Sequence, residues 1–195
     1  MVATTSSIQM KTVTVTIQGM PPGLLMNSKR LMEADGGEGK KPKRTPEQEA
    51  ELHCHWMPGK GKKHLALPWA SLYKCICAAA SEFKAKGRGT KRMTNLVAAS
   101  ISCDQDFISI GTSDYEVYQE WVRIPPRTGA MVKIARPRIR AWEATFTMMV
   151  DDEKYDVNML REIIEEAGKT VGLGPWRPSL KGPYGKFVIT AFKVG

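Results

Sequence analysis

The chain holds few cysteines, and they follow no framework. Cys54, Cys75, Cys77 and Cys103 are its four, and their spacing matches neither a disulfide scaffold nor a paired zinc knuckle. Cys75 and Cys77 fall within a helical pattern, where a thiol packs as a small apolar group. Histidine is also scarce: His53, His55 and His64 are the three, and no CxxC or HxxxH pair stands near them. No metal and no cofactor are therefore expected. No apolar run approaches the roughly 18 residues of a membrane span, so a membrane partner is not expected. The opening MVATTSSIQM lacks the basic start and apolar block of a secretory signal, which points to an intracellular protein. A Walker motif is missing too. The glycine-rich stretch GLGPWRPSLKGPYGKF follows a helical pattern and precedes a strand, the reverse of a phosphate loop or a dinucleotide fingerprint.

What the chain does have is positive charge. The formal net charge is +9 over 195 residues, with an apolar share of 42% that suffices for a core. The charge is uneven. Residues 151–166 hold seven acids against two bases, whereas residues 121–140 carry Arg123, Arg127, Lys133, Arg136, Arg138 and Arg140 with no acid. Lys91 and Arg92 add a basic loop in GRGTKRMTN. A surface so polarised suits a polyanion, and single-stranded nucleic acid is the natural partner.

Periodicity supplies the elements. KTVTVTIQG alternates Val13, Val15 and Ile17 with threonines, the pattern of a half-buried strand. Residues 34–64 read as a flexible basic loop rich in Gly and Lys. LALPWASLYKCICAAASEFKAKG reads as a helix with Pro68 in its first turn, LVAASIS as a strand and FISIG as a short one. Residues 115–140 read as a protruding β-hairpin, whose prolines, Pro137 included, argue against a central sheet position. WEATFTMMV alternates again. A helix capped by Asp156 follows, with Val157, Leu160, Ile164, Ala167 and Val171 as its buried stripe, and KFVITAF closes the chain as a strand. Without the hairpin the order is βαββαβ, so the expected class is α+β with a ferredoxin-like (RRM-like) core in one domain, 1–195.

The glycine-rich stretch is the candidate backbone cradle. Gly172, Gly174, Gly182 and Gly185 allow peptide N–H groups to approach phosphates, and Arg177, Lys181 and Lys186 (with Lys169) supply charge beside them. Trp176 either stacks on a base or packs as a lid on the preceding helix; for Tyr184 and Trp121 packing is the preferred expectation.

A ferredoxin-like core, a glycine-rich loop before the last strand and a hairpin between the middle strands together resemble the RAMP superfamily, and within it the backbone subunit of CRISPR effector complexes. LALPWASLYKCI also looks like that family's short strand running into a helix. The resemblance implies a non-catalytic protein that binds single-stranded RNA rather than DNA. It implies a thumb made by residues 115–140, copies stacked head to tail along the strand, and contacts with other effector subunits. The setting implied is the cytoplasm of a bacterium or a phage-infected host. Processing members use a histidine base and some backbone subunits a loop aspartate, which His53, His55 and Asp35 could imitate; catalysis is not expected here. GMPPGLLMN is similar to the opening of phage-encoded proteins. That leaves two alternatives open: a phage single-stranded DNA-binding or recombination protein, and a viral mimic acting through protein contacts.

Overall fold

The structure is a computed structural model that describes residues 10–26, 44–59, 63–85, 92–124, 129–151, 153 and 156–195. Its strands are β1 (Met10–Gly19), β2 (Leu24–Leu25), β3 (Ala66–Pro68), β4 (Ile101–Ser102), β5 (Phe107–Ser109), β6 (Glu116–Ile124), β7 (Ala130–Ile139), β8 (Glu143–Asp151) and β9 (Phe187–Val194). Its α-helices are α1 (Pro46–His53), α2 (Trp69–Ala79), α3 (Thr94–Ser100) and α4 (Val157–Glu166). Helices and antiparallel sheets mix in an α+β architecture.

The main sheet runs in the order β4-β8-β1-β9. Alternation fixes its two faces. Val13, Val15 and Ile17 of β1 and Ala144, Phe146, Met148 and Val150 of β8 are fully or almost fully buried, because every second side chain of a strand points the same way. On the opposite face, cross-strand hydroxyl pairs join Thr14 to Thr147 at 3.1 Å and Thr16 to Thr145 at 3.0 Å. Helix α2 covers the apolar face through Leu72, Cys75, Ile76 and Ala79, at helical spacing. The Trp69 ring meets that of Phe146 at 5.9 Å. Helix α4 presents Val157, Leu160, Ile163 and Ile164 to the same core. Its N-cap is Asp156, whose carboxylate accepts from the Asn158 N–H at 2.9 Å.

A second sheet, β2-β7-β6, forms the ribbon and its base. The expectation of a peripheral Pro137 is corrected here, since β7 is the middle strand. The Met26 N–H reaches the Pro137 carbonyl at 3.1 Å, but proline has no N–H to return, so the short β2–β7 ladder ends at that point. The ribbon is also only half protruding. Helix α1 packs on β7 and β6, and Ile134, Ala135 and Ile139 are buried.

Two other expectations change. LVAASIS is not a strand: Thr94–Ser100 form α3, and only Ile101–Ser102 join the sheet. Met93, Val97 and Ser100 are buried at helical intervals, a period that an all-strand reading of small β-tolerant residues overlooks. FISIG does give β5, but it pairs with β3 rather than with the main sheet. Within 34–64, where a loop was expected, α1 stands on a capping box: the Gln48 N–H donates to Thr45 Oγ1 at 3.3 Å and the Thr45 N–H donates to Gln48 Oε1 at 3.1 Å. Asp35 lies outside the described residues. Among the described residues no helix is long and apolar enough to cross a membrane.

Candidate nucleic-acid interface

Helix α4 does not stop at Glu166 but widens into a π-helical turn, Ala167–Val171. Gly168 lets the turn pack directly on the start of β9, because a Cβ there would stand 2.1 Å from the Phe187 carbonyl oxygen. The turn delivers the glycine-rich stretch against the start of β9 and the end of β2. Gly174 and Gly185 both have left-handed φ, +76° and +74°. A Cβ would fall 2.2 Å from the Leu25 carbonyl oxygen at the first and 1.8 Å from that of Leu173 at the second. These glycines therefore serve close approach of the protein's own backbone. The Gly172 N–H donates to the Ala167 carbonyl at 2.8 Å and the Gly182 N–H to that of Arg177 at 3.0 Å.

Between Gly174 and Gly185 the loop carries two non-glycine residues in left-handed conformation, Trp176 (φ +55°) and Lys181 (φ +62°). Both are exposed. Such backbone costs of order 1–3 kcal/mol and persists where the surroundings over-determine it. Here the Trp176 carbonyl accepts from the Tyr184 N–H at 3.1 Å. Arg177 is turned inward, donating to the Gly174 carbonyl at 3.1 Å and to Ser179 Oγ at 2.9 Å. Tyr184 packs, as expected: it is buried, and its ring meets Tyr118 of β6 at 5.6 Å. Arg138 lies over the Tyr118 ring at 5.6 Å. Loop and ribbon base thus form one contiguous surface.

The ribbon arginines divide into two groups. Arg136 donates to Glu120 at 2.8 Å, and that glutamate is buried. Arg138 and Arg140 both donate to Glu116. Hydrogen bonds from Arg140 and then Arg138 hold the Glu116 carboxyl down at about 2. The acid-free basic run is thus answered by acids lying just before it in sequence and across the hairpin in space. Arg123 and Lys133 differ. They lie nearer the tip, on the ribbon face where Trp121 stands opposite Lys133 and Arg123 opposite Met131. Among the described residues no carboxylate pairs with Arg123 or Lys133. Trp121 is 62% exposed, which overturns the packing expected for it. Arg92 is exposed and bridges Lys84 at the backbone, and Lys186 is partly covered. Lys91 and Arg127 lie outside the described residues.

His53 and His55 are both buried, and His55 is one of the residues lining a cleft beside α2. Among the described residues no three His, Cys, Asp or Glu side chains gather as a metal site would require. The sequence reading missed Glu116 and Glu120 as partners of the arginines. It also missed a cleft of about 680 Å³ between α2 and the glycine-rich loop. The signal for the cleft was present as Ser71, Lys74, Ala78 and Glu82, at helical spacing along α2 and the 3-10 turn that follows it. No protein-family model matches the chain, and no curated protein matches it either.

Proposed function

We propose that the protein is a non-catalytic single-strand nucleic-acid-binding protein that grips its ligand with the outer half of the β6–β7 ribbon. The observation that carries this reading is the exposed Trp121 flanked by Lys133 and Arg123 on one ribbon face. An exposed indole offers a stacking platform for any base, and the two cations answer the phosphates beside it. The order of β1, α2, β4, β8, α4 and β9 supports a ferredoxin-like βαββαβ core with the ribbon inserted between its middle strands. That arrangement is in keeping with a RAMP-like protein whose copies stack along one RNA strand. The outer sheet face favours the ribbon over an RRM-type platform, because β1 and β8 present threonines there, without an aromatic ring.

The test is fluorescence anisotropy with labelled homopolymer RNA and DNA. Trp121→Ala should weaken binding by roughly 5- to 150-fold, the equivalent of about 1–3 kcal/mol for one stacked base. Lys133→Ala should lower the salt slope by about 0.7, the value for one phosphate of a single strand. Size-exclusion chromatography on a long homopolymer should shift the protein into larger assemblies. Unchanged affinity in Trp121→Ala, or no binding to either polymer, overturns the reading.

A further inference from the structure

The cleft beside α2 lies apart from the ribbon face and has its own chemistry. Its volume of about 680 Å³ falls in the range of small-molecule sites, about 300–1,000 Å³. One wall is a face of α2, with Ser71, Lys74 and Ala78, continued by Glu82 in the 3-10 turn Ala80–Glu82 that follows. The facing wall is the end of α4 and the glycine-rich loop, with Glu166, Thr170, Leu173, Arg177 and Ser179. Cys75 ties the walls together, its thiol directed at the carbonyls of Gly172 at 3.3 Å and Ala167 at 3.6 Å. Burial pushes that thiol up to about 12 against the opposing charge of Arg177, so Cys75 is a structural donor and not a nucleophile.

Charges of both signs line this cleft, Lys74 and Arg177 against the carboxylates of Glu82 and Glu166. Lys74 and Arg177 stand on opposite walls, with the hydroxyls of Ser71 and Ser179 beside them. Helix α2 starts at the same end with no side-chain cap, so its dipole adds to the positive character. Glu82 lies about two turns further on, past the end of α2, roughly 12–14 Å from Lys74 along the axis at about 1.5 Å per α-helical and 2.0 Å per 3-10 residue. Ala78 leaves the space between them open, and Leu173 and Val171 supply apolar surface. A ligand that fits is anionic at one end, flat in the middle and rich in N–H donors at the other.

We propose that the cleft binds one nucleotide unit, its phosphate between Lys74 and Arg177 and its base edge toward Glu82. A carboxylate only accepts, so it favours bases that present donors. Guanine offers N1–H and N2–H₂ together and ranks first, whereas uracil offers one N–H between two carbonyls and ranks last. The unit can be a free nucleoside monophosphate or the phosphorylated end of a strand. The ribbon reading is independent, because Trp121 and Lys133 are not among the residues lining the cleft.

The experiment is calorimetric titration of the full chain with GMP, UMP, inorganic phosphate and a 5′-phosphorylated pentanucleotide whose 5′-terminal nucleoside is guanosine. GMP should bind at one per chain, at least tenfold more tightly than UMP, with phosphate alone weaker still. Ala78→Trp, at an exposed helix position, should block the cleft. Lys74→Glu should weaken GMP at least tenfold, and Glu82→Gln should narrow the gap between GMP and UMP. Circular dichroism melts establish that each variant is folded. A pentanucleotide that competes with GMP assigns the site to strand ends, and one that does not assigns it to free nucleotides. No saturable GMP binding, equal binding of GMP and phosphate, or GMP binding unaltered in folded Ala78→Trp and Lys74→Glu overturns the proposal.

Discussion

Replacing Arg136 by methionine isolates the role of the ribbon's best-buried charge. The Arg136 and Glu120 side chains retain only 14% and 4% of their exposure, and one hydrogen bond of 2.8 Å joins them. The second Glu120 oxygen, Oε2, is buried and has no hydrogen-bond partner among the described residues. Methionine keeps most of the packing volume but leaves the carboxylate in the ribbon base without its counter-charge. Breaking a buried pair in this way costs about 3–5 kcal/mol, and the partial exposure of Arg136 favours the lower end. At 2–4 °C per kcal/mol for a chain of this size, the melting temperature should fall by about 6–12 °C. Removing both charges, as Glu120→Leu with Arg136→Met, should recover stability to within about 1 kcal/mol of the parent, because two desolvation penalties vanish with one attraction. Urea denaturation of the four proteins in a double-mutant cycle reads the coupling directly. If the single variant loses less than about 1 kcal/mol, or the double variant is no better than the single, the pairing is not what holds the ribbon base. The double variant also tests the interface: full affinity for single strands in it would remove Arg136 from the nucleic-acid contacts expected on sequence grounds.

Gly185→Ala combines a left-handed φ of +74° with a Cβ 1.8 Å from the Leu173 carbonyl oxygen; it should destabilise by more than 3 kcal/mol or yield insoluble protein, measured by denaturation against the milder Pro183→Ala. Glu116 has a carboxyl lowered from 4.5 to about 2, so its contribution to stability is present above about pH 4.5 and is lost as pH falls toward 2. Glu116→Gln should flatten the stability profile in that window, and a profile identical to the parent's would refute the assignment. Cys75 has the opposite sign. Its thiol is raised from 9.0 to about 12, so the associated stability is full below pH 9 and declines as pH rises toward 12. In mass-spectrometric alkylation of the native protein at pH 8, Cys75 should be modified after the half-buried Cys77 and Cys103, and labelling ahead of them would contradict its burial.

The sequence by itself determined the elements whose pattern is local. Alternation of Val13, Val15 and Ile17 with threonines fixed β1 and its two faces, Asp156 marked the start of α4, and the capping box at Thr45 was legible for α1 although it went unread. It also determined that positive charge concentrates on the ribbon and around the last loop. Which of those charges remain free for a ligand was decided only by the tertiary structure. Cross-strand register sets Arg138 directly opposite Glu116 and Arg136 diagonally across from Glu120, twenty-two and sixteen residues away in sequence, and leaves Arg123 and Lys133 without such partners among the described residues. The glycines of the last loop were legible as a special backbone, but not as one folded against the carbonyls of Leu25 and Leu173. Trp121 faces solvent and Tyr184 is buried against Tyr118 of the ribbon base for the same reason. A residue type states what a side chain prefers; the neighbour that satisfies or denies that preference is chosen by the packing of segments far apart in the chain.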